Sequence, residues 1–167
     1  MAYGDDYLYV GTGSTYVEKV DSEKKKIVGT IGGFGNRTNV GMAYGDGRLY
    51  VGTSSNYVEI VDPVSKTIVG TIGGFGNRTN VGMAYGDGLL YVGTSSNYVE
   101  VVNPVSKTIV GTISGFGNRT NVGMAYGAGL LYVGTSSNYV EIVDPVRKKI
   151  VGKIGGFGNR TNSGMTF

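Results

Sequence analysis

Between residues 39 and 82, four short runs rich in β-branched and aromatic residues, "NVGMAYG", "LYVGTS", "YVEIVD" and "KTIVGTI", are set apart by "DG", "SN" and "PVS". Those separators are turn-forming combinations, so the pattern predicts four short strands. In "YVEIV", Val58 and Ile60 point one way while Tyr57, Glu59 and Val61 point the other. Both faces of "TIVGTI" also carry apolar or small residues. Neither face of such a sheet is fully polar, and it needs a covering neighbour on each side. Asp46-Gly47 sits between two of the runs, where a primed hairpin turn requires positive φ and Gly supplies it without strain. Pro63 after Asp62 stops the third strand, because proline donates no ladder hydrogen bond.

The whole pattern recurs. Met1, Met42, Met83, Met124 and Met165 lie 41 residues apart, which divides the chain into repeats 1-41, 42-82, 83-123 and 124-164 and an overhang. The second and third repeats differ only at Arg48/Leu89, Ile60/Val101, Asp62/Asn103 and Gly73/Ser114, a closeness that points to recent duplication or deliberate construction. Identical small sheets that cannot cover both faces alone are satisfied by radial stacking. The expected fold class is all-β, a β-propeller of four-stranded blades. A β-solenoid is the competing repeat fold, but four strands joined by hairpin turns within one repeat favour blades over coils.

"LYVGTSSNYVEIVDPVSKTIVGTI" resembles the YVTN-type β-propeller repeat, with Leu8-Tyr9-Val10, Leu49-Tyr50-Val51, Leu90-Tyr91-Val92 and Leu131-Tyr132-Val133 as its anchors. The resemblance covers essentially the whole chain. It implies propeller blades of the kind found in surface-layer components, binding modules and scaffolds, and a fold of this kind does not fix an activity.

The C-terminal "NSGMTF", 162-167, repeats the inner-strand segment "NVGMAY", whereas the N-terminal copy has only "MAY". A strand left over in this way is suited to closing a ring and removing an exposed edge. The chain is thus expected to be a single propeller domain or half-domain over 1-167. Small residues such as Gly41 and Ala43 on the inner strand, with no Trp on the outer ones, suit thin, nearly parallel blades. That favours two chains forming one eight-bladed ring, with a four-bladed monomer as the alternative and an open filament as a third arrangement.

Composition narrows the chemistry. Across 167 residues there is no Cys and no His, which excludes thiolate chemistry and cysteine metal sites and removes the usual neutral-pH base. The 31 glycines serve turns and close contacts, since Val, Ile, Leu and Tyr recur regularly between them. A net charge of +3 is too mild to argue for a nucleic-acid partner. No run is long enough to span a bilayer, and the first residues lack the basic start and apolar block of a signal peptide. A chain complete as written is expected in the cytoplasm; one processed from a longer precursor would belong outside the cell or at its surface.

"GFGNRTN" is repeated unchanged in all four units. The structural reading has Gly33 and Gly35 bend the chain, Phe34 insert between blades, and Asn and Thr satisfy loop backbone groups. The binding reading makes Arg37, Arg78, Arg119 and Arg160, with Asn39, Asn80, Asn121 and Asn162, a multivalent rim for glycans or small anions. "NRT" also fits a glycosylation acceptor at Asn36, Asn77, Asn118 and Asn159 if the chain is exported. "EKKK" at 23-26 and "VRKK" at 146-149, with Lys19 and Lys153, gather basic residues in the first and last units, a pattern more often a solvated face than a polyanion site. Asp5, Asp46 and Asp87 recur at hairpin turns, but the fourth unit has Ala128 there. Glu18, Glu59, Glu100 and Glu141 recur mid-strand, spread too widely for a catalytic carboxylate pair. No nucleophile, base and orienting group converge, so the sequence points to a non-catalytic scaffold without cofactor or metal, its main partner being itself, with the rim-binding module as the alternative.

Overall fold

The computed structural model describes residues 1–11, 15–35, 39–76, 80–117, 121–136 and 138–157. Every described element is a strand, and each repeat forms one antiparallel four-stranded sheet with its strands in sequence order. Blade 1 comprises β1 (Ala2–Gly4), β2 (Tyr7–Gly11), β3 (Val17–Asp21) and β4 (Lys26–Ile31). Blade 2 comprises β5 (Asn39–Gly45), β6 (Arg48–Thr53), β7 (Val58–Asp62) and β8 (Thr67–Ile72). Blade 3 comprises β9 (Asn80–Gly86), β10 (Leu89–Thr94), β11 (Val99–Asn103) and β12 (Thr108–Ile113). Blade 4 comprises β13 (Asn121–Gly127), β14 (Leu130–Thr135), β15 (Val140–Asp144) and β16 (Lys149–Ile154). The fold class is all-β, with the four four-stranded blades of a β-propeller. The chain divides into two compact units, Met1–Asn80 and Val81–Phe167.

The predicted turns form as the residues dictate. Asp46 and Gly47 take φ of 48° and 68°, and Asp5-Asp6 does the same at 48° and 66°. Asp tolerates the left-handed region because its short polar side chain serves the backbone locally. Ala128, at 50°, occupies that region without such help. β7 ends at Asp62, immediately before Pro63. Lys25, Lys66, Lys107 and Lys148, in the turn joining the third and fourth strands, also have positive φ.

Register defines two faces on each blade. In blade 2, Tyr50 pairs with Ile60, which pairs with Gly70, on one face. Leu49 pairs with Val61, and Val51 with Glu59, on the other. In the first unit, the Tyr9, Val17 and Ile31 face of blade 1 packs with Phe34 against Met42, Leu49, Val51 and Val61 of blade 2. In the second, Tyr91, Val99, Val101, Ile113 and Phe116 of blade 3 pack against Met124, Leu131, Val133 and Val143 of blade 4. The leading face of one blade thus meets the trailing face of the next, and Phe34 and Phe116 fill the joints as their sequence position predicts. Burying one such ring contributes about 1.5–3 kcal/mol.

One irregularity recurs that hydrophobic patterning does not show. In blade 2 the pairing passes from Ile60↔Gly70 to Val61↔Ile68, which leaves Val69 as an extra residue on the outer strand. Val28, Val110 and Val151 hold the same place in the other blades, and all four valine side chains are exposed. A bulge at each outer strand raises local twist and interrupts the edge ladder.

The close approach at the inner rim is testable. A Cβ on Gly86 would fall 2.0 Å from Cδ1 of Tyr126, whereas one on Gly73 meets nothing within 4 Å. Gly86→Ala is expected to lower stability in urea denaturation by about 1–3 kcal/mol, the cost of forcing a packed ring aside. Gly73→Ala should stay within about 0.5 kcal/mol of the parent.

Candidate functional site

The chemistry-bearing side chains of the described residues gather at the joints between blades. In the first unit the Tyr44 ring of β5 stacks on Tyr9 of β2, with centroids 5.8 Å apart and planes 5° from parallel. Gly4 leaves room for that ring, since a Cβ there would lie 2.0 Å from its Cδ1. The Tyr44 hydroxyl donates to the Asp5 carboxylate at the hairpin of blade 1. The second unit repeats the joint: Tyr126 stacks on Tyr91 at 5.6 Å and 6°, over Gly86, and donates to Asp87 at 2.5 Å. The Asp residues of the hairpin turns therefore do more than shape a turn, because their carboxylates latch the next blade.

Burial, followed by the hydrogen bond to the carboxylate and by its charge, raises the Tyr44 and Tyr126 hydroxyls well above the ordinary 10.0. Tyr9 and Tyr91 are pushed up to about 12, again chiefly by burial and then by the nearby Asp5 and Asp87 charges. The buried Tyr9 hydroxyl has no hydrogen-bond partner among the described residues. These phenols are neutral structural groups near neutral pH.

A second contact crosses each joint at the outer rim. Lys66 lies over Gly29, its Nζ 2.6 Å from where a Cβ would stand, and Lys148 lies over Gly111 and donates to the Val110 carbonyl at 3.3 Å. The left-handed turn that holds these lysines aims them back along the preceding blade. Deeper in the sheet, Glu59, Glu100 and Glu141 are buried. Thr71 donates to Glu59, and Thr112 to Glu100, each at 3.0 Å. In blade 4 the residue paired with Glu141 is Lys153 in place of Thr.

Four of the basic residues singled out in the first and last units, Lys19, Lys24, Arg147 and Lys153, are engaged within their own blade. Lys24 pairs with Asp21 at 2.8 Å, through both its ammonium and its backbone N–H, which holds that carboxyl below its usual range. Arg147 pairs with Asp144 at 3.7 Å. Lys19 lies 3.8 Å above the Tyr7 ring centroid and Lys153 5.1 Å from that of Tyr139. Blade 2 compensates the corresponding Asp62 from another strand, with Arg48 at 2.8 Å. Backbone N–H groups of Val64 and Ser65 also bond Asp62, and together these hold its carboxyl low. Blade 3 has Leu89 where blade 2 has Arg48, and there the turn acceptor is Asn103, bonded by Val105 and Ser106 in the same way. Charge at the turn is thus kept only where a cation meets it.

Arg37, Arg78, Arg119 and Arg160, the acceptor positions Asn36, Asn77, Asn118 and Asn159, and Asn162 lie outside the described residues. Asn39, Asn80 and Asn121 open β5, β9 and β13, and Asn39 and Asn121 pair with Thr53 and Thr135. Among the described residues no three His, Cys, Asp or Glu come together as a metal site. Sequence reasoning missed the tyrosine-to-aspartate latch. Its signal was present as a fixed offset of 39 residues, carried by Asp5 and Tyr44 and by Asp87 and Tyr126.

Tyr126→Phe keeps the stacked ring and removes the donor, so it is expected to cost about 0.5–1.5 kcal/mol in urea denaturation. It should be strongly non-additive with Asp87→Asn. Because the folded chain holds the phenol protons more tightly than the unfolded one, their contribution is complete below about pH 10. It is lost as pH rises through about 12, where Tyr9 and Tyr91 ionise. Phenolate absorbance should rise together with unfolding in that window, not at the ordinary tyrosine value.

Neither the known family signatures nor the curated proteins give a sequence match to this chain. Among solved structures, the chain is similar to one in the crystal structure of a mitotic checkpoint complex, with a TM-score of 0.77 at 16% identity. The likeness covers 97% of this chain and 49% of that one, so this chain spans about half its length, and what the two share is the fold.

Proposed function

We propose that the protein is a non-catalytic, self-assembling propeller scaffold of YVTN type, in which the leading face of blade 4 meets the trailing face of blade 1 of a second copy. The observation that carries this reading is the exposure of matching half-joints on the two terminal blades. Ile154 and Phe157 are 45% and 37% exposed, whereas Ile31, Ile72 and Ile113 and Phe34, Phe75 and Phe116 are at 0%. On blade 1, Ile27 is 54% exposed, while its counterparts Ile68 and Ile150 pack into the joints described above. Leu8, Val10 and Val20 are half-buried where Leu49, Val51 and Val61 are fully buried.

The two exposed faces are complementary in kind, being the two sides of a joint that recurs within each unit. Such a contact is head to tail, and two of them close a two-chain ring of eight blades. Apolar surface of this extent on the terminal blades favours a covering partner over solvent. The sequence supports the same reading, because residues 162–167 repeat the "NVGMAY" pattern once more after the fourth unit.

The particle mass tests the reading. Light scattering after gel filtration should give twice the 17.5 kDa chain mass, with dissociation on dilution. Ile154→Glu and Ile27→Glu, one on each face, should each yield a folded single chain. A strictly single-chain particle at high concentration, or dimers indifferent to both substitutions, would remove the assembly.

A further inference from the structure

Each described joint seats two side chains from the outer part of one blade on two glycines of the blade before it. Lys66 of blade 2 lies over Gly29, and the Ile68 Cδ1 stands 3.4 Å from where a Cβ on Gly33 would be. In the second unit Lys148 lies over Gly111, its Nζ 2.0 Å from the Cβ position, and the Ile150 Cδ1 stands 3.4 Å from that of Gly115. The outer-strand bulge builds the seat for the lysine. It makes Val110 the extra residue, outside the regular ladder, and Lys148 donates to the Val110 carbonyl. Gly111 follows directly and keeps the approach open.

The terminal blades carry the two halves of this fitting without its counterpart. Blade 4 has the bulge at Val151, then Gly152, and beyond β16 it has Gly156 at a φ of 93°, against 94° for Gly33 and 101° for Gly115. Among the described residues a Cβ on Gly152 meets only Ile142 of its own blade, at 3.6 Å, and one on Gly156 meets nothing within 4 Å. Blade 1 has Lys25 and Ile27 where blade 2 has Lys66 and Ile68. Lys25 takes a φ of 52°, against 59° for Lys66 and 55° for Lys148, so the three turns share one left-handed form. Lys25 and Ile27 are both exposed.

We propose that Lys25 and Ile27 of one copy seat on Gly152 and Gly156 of a second, with the Lys25 ammonium donating to the Val151 carbonyl. The inference rests on the assembly reading and deepens it: the apolar faces supply the attraction between copies, and this fitting supplies their register. Lysine suits the task, because its stem lies along the apolar outer strand while its ammonium reaches a carbonyl that the bulge sets outside the ladder. A copy shifted by one strand position would bring the ammonium over Val151 or Lys153, where the glycine seat is absent.

The absence of cysteine from the chain makes cross-linking a clean test. One preparation carries Lys25→Cys and another Gly152→Cys, so any thiol-to-thiol link joins two chains. Mixed and treated with a short bismaleimide, they should give a two-chain product joined at positions 25 and 152. Lys66→Cys mixed with Gly152→Cys should give none, since Lys66 is seated on Gly29 of its own unit. Gly152→Val should leave the chain folded, because its Cβ meets Ile142 at ordinary contact distance, and should raise the dissociation constant of the two-chain particle about tenfold or more. Lys25→Ala should raise it as well, and the two together should add little to either alone, because both remove one contact. A two-chain particle that lacks the 25-to-152 link, or that is indifferent to Gly152→Val, overturns the fitting and leaves the assembly standing. A single-chain particle at high concentration removes both, as does a 25-to-152 link formed at single-chain mass in a chain carrying both cysteine substitutions.

Discussion

A sheet of four short strands with two apolar faces has no side to give to water, and every other feature follows from covering both. Ile31 and Phe34 of blade 1 are fully buried because Met42, Leu49 and Val51 of blade 2 lie against them, and Ile113 and Phe116 are covered in the same way by blade 4. Burying an aromatic or aliphatic side chain contributes a few kcal/mol, so the joints, and not the hairpins, hold most of what favours the folded chain. An isolated hairpin or lone sheet of this size is marginal in water.

Polar contacts at the joints have a different task. The Tyr44 and Tyr126 hydroxyls, the lysines over Gly29 and Gly111, and the threonine donors to Glu59 and Glu100 sit at fixed positions along each blade. Apolar faces slide easily, because one β-branched side chain resembles another. Directional contacts at the inner and outer rims fix the register of one blade on the next, while the bonds from Thr71 to Glu59 and from Thr112 to Glu100 tie the third and fourth strands within a blade. Glycine is essential at Gly4 and Gly86 for the same reason: the ring that carries the hydroxyl must pass where a side chain would stand.

Much of the fold was legible because its signals are local. Asp46-Gly47 announces a primed hairpin, Pro63 ends a strand, and the alternation around Glu59 reports two half-apolar faces. Phe34 was placed between blades because a lone ring in a glycine-rich crossover has no other apolar surface to meet. The latch was not legible in that way. It joins residues on separate blades, and near-identity of the repeats hides it, since Tyr and Asp recur in most units whether or not they touch. Information resides in the exception, Ala128, which gains meaning only after Asp5 and Tyr44 are seen together. The extra residue at Val69 was equally silent, because a bulge leaves composition unchanged. The arginine rim, drawn from repetition of Arg37 and its counterparts, rests on the sequence alone.

The paired differences between blades 2 and 3 bear on how nearly identical repeats avoid confusion while folding. Tandem copies invite strand exchange, in which a second strand from one copy pairs with a third strand from another. Arg48 with Asp62, and Leu89 with Asn103, each form a balanced set at the same place. A hybrid sheet would set a guanidinium beside an amide, or leave a carboxylate without its cation. Two substitutions that cancel within each native blade therefore act as a sorting label, making the wrong partner slightly worse at little cost to the right one.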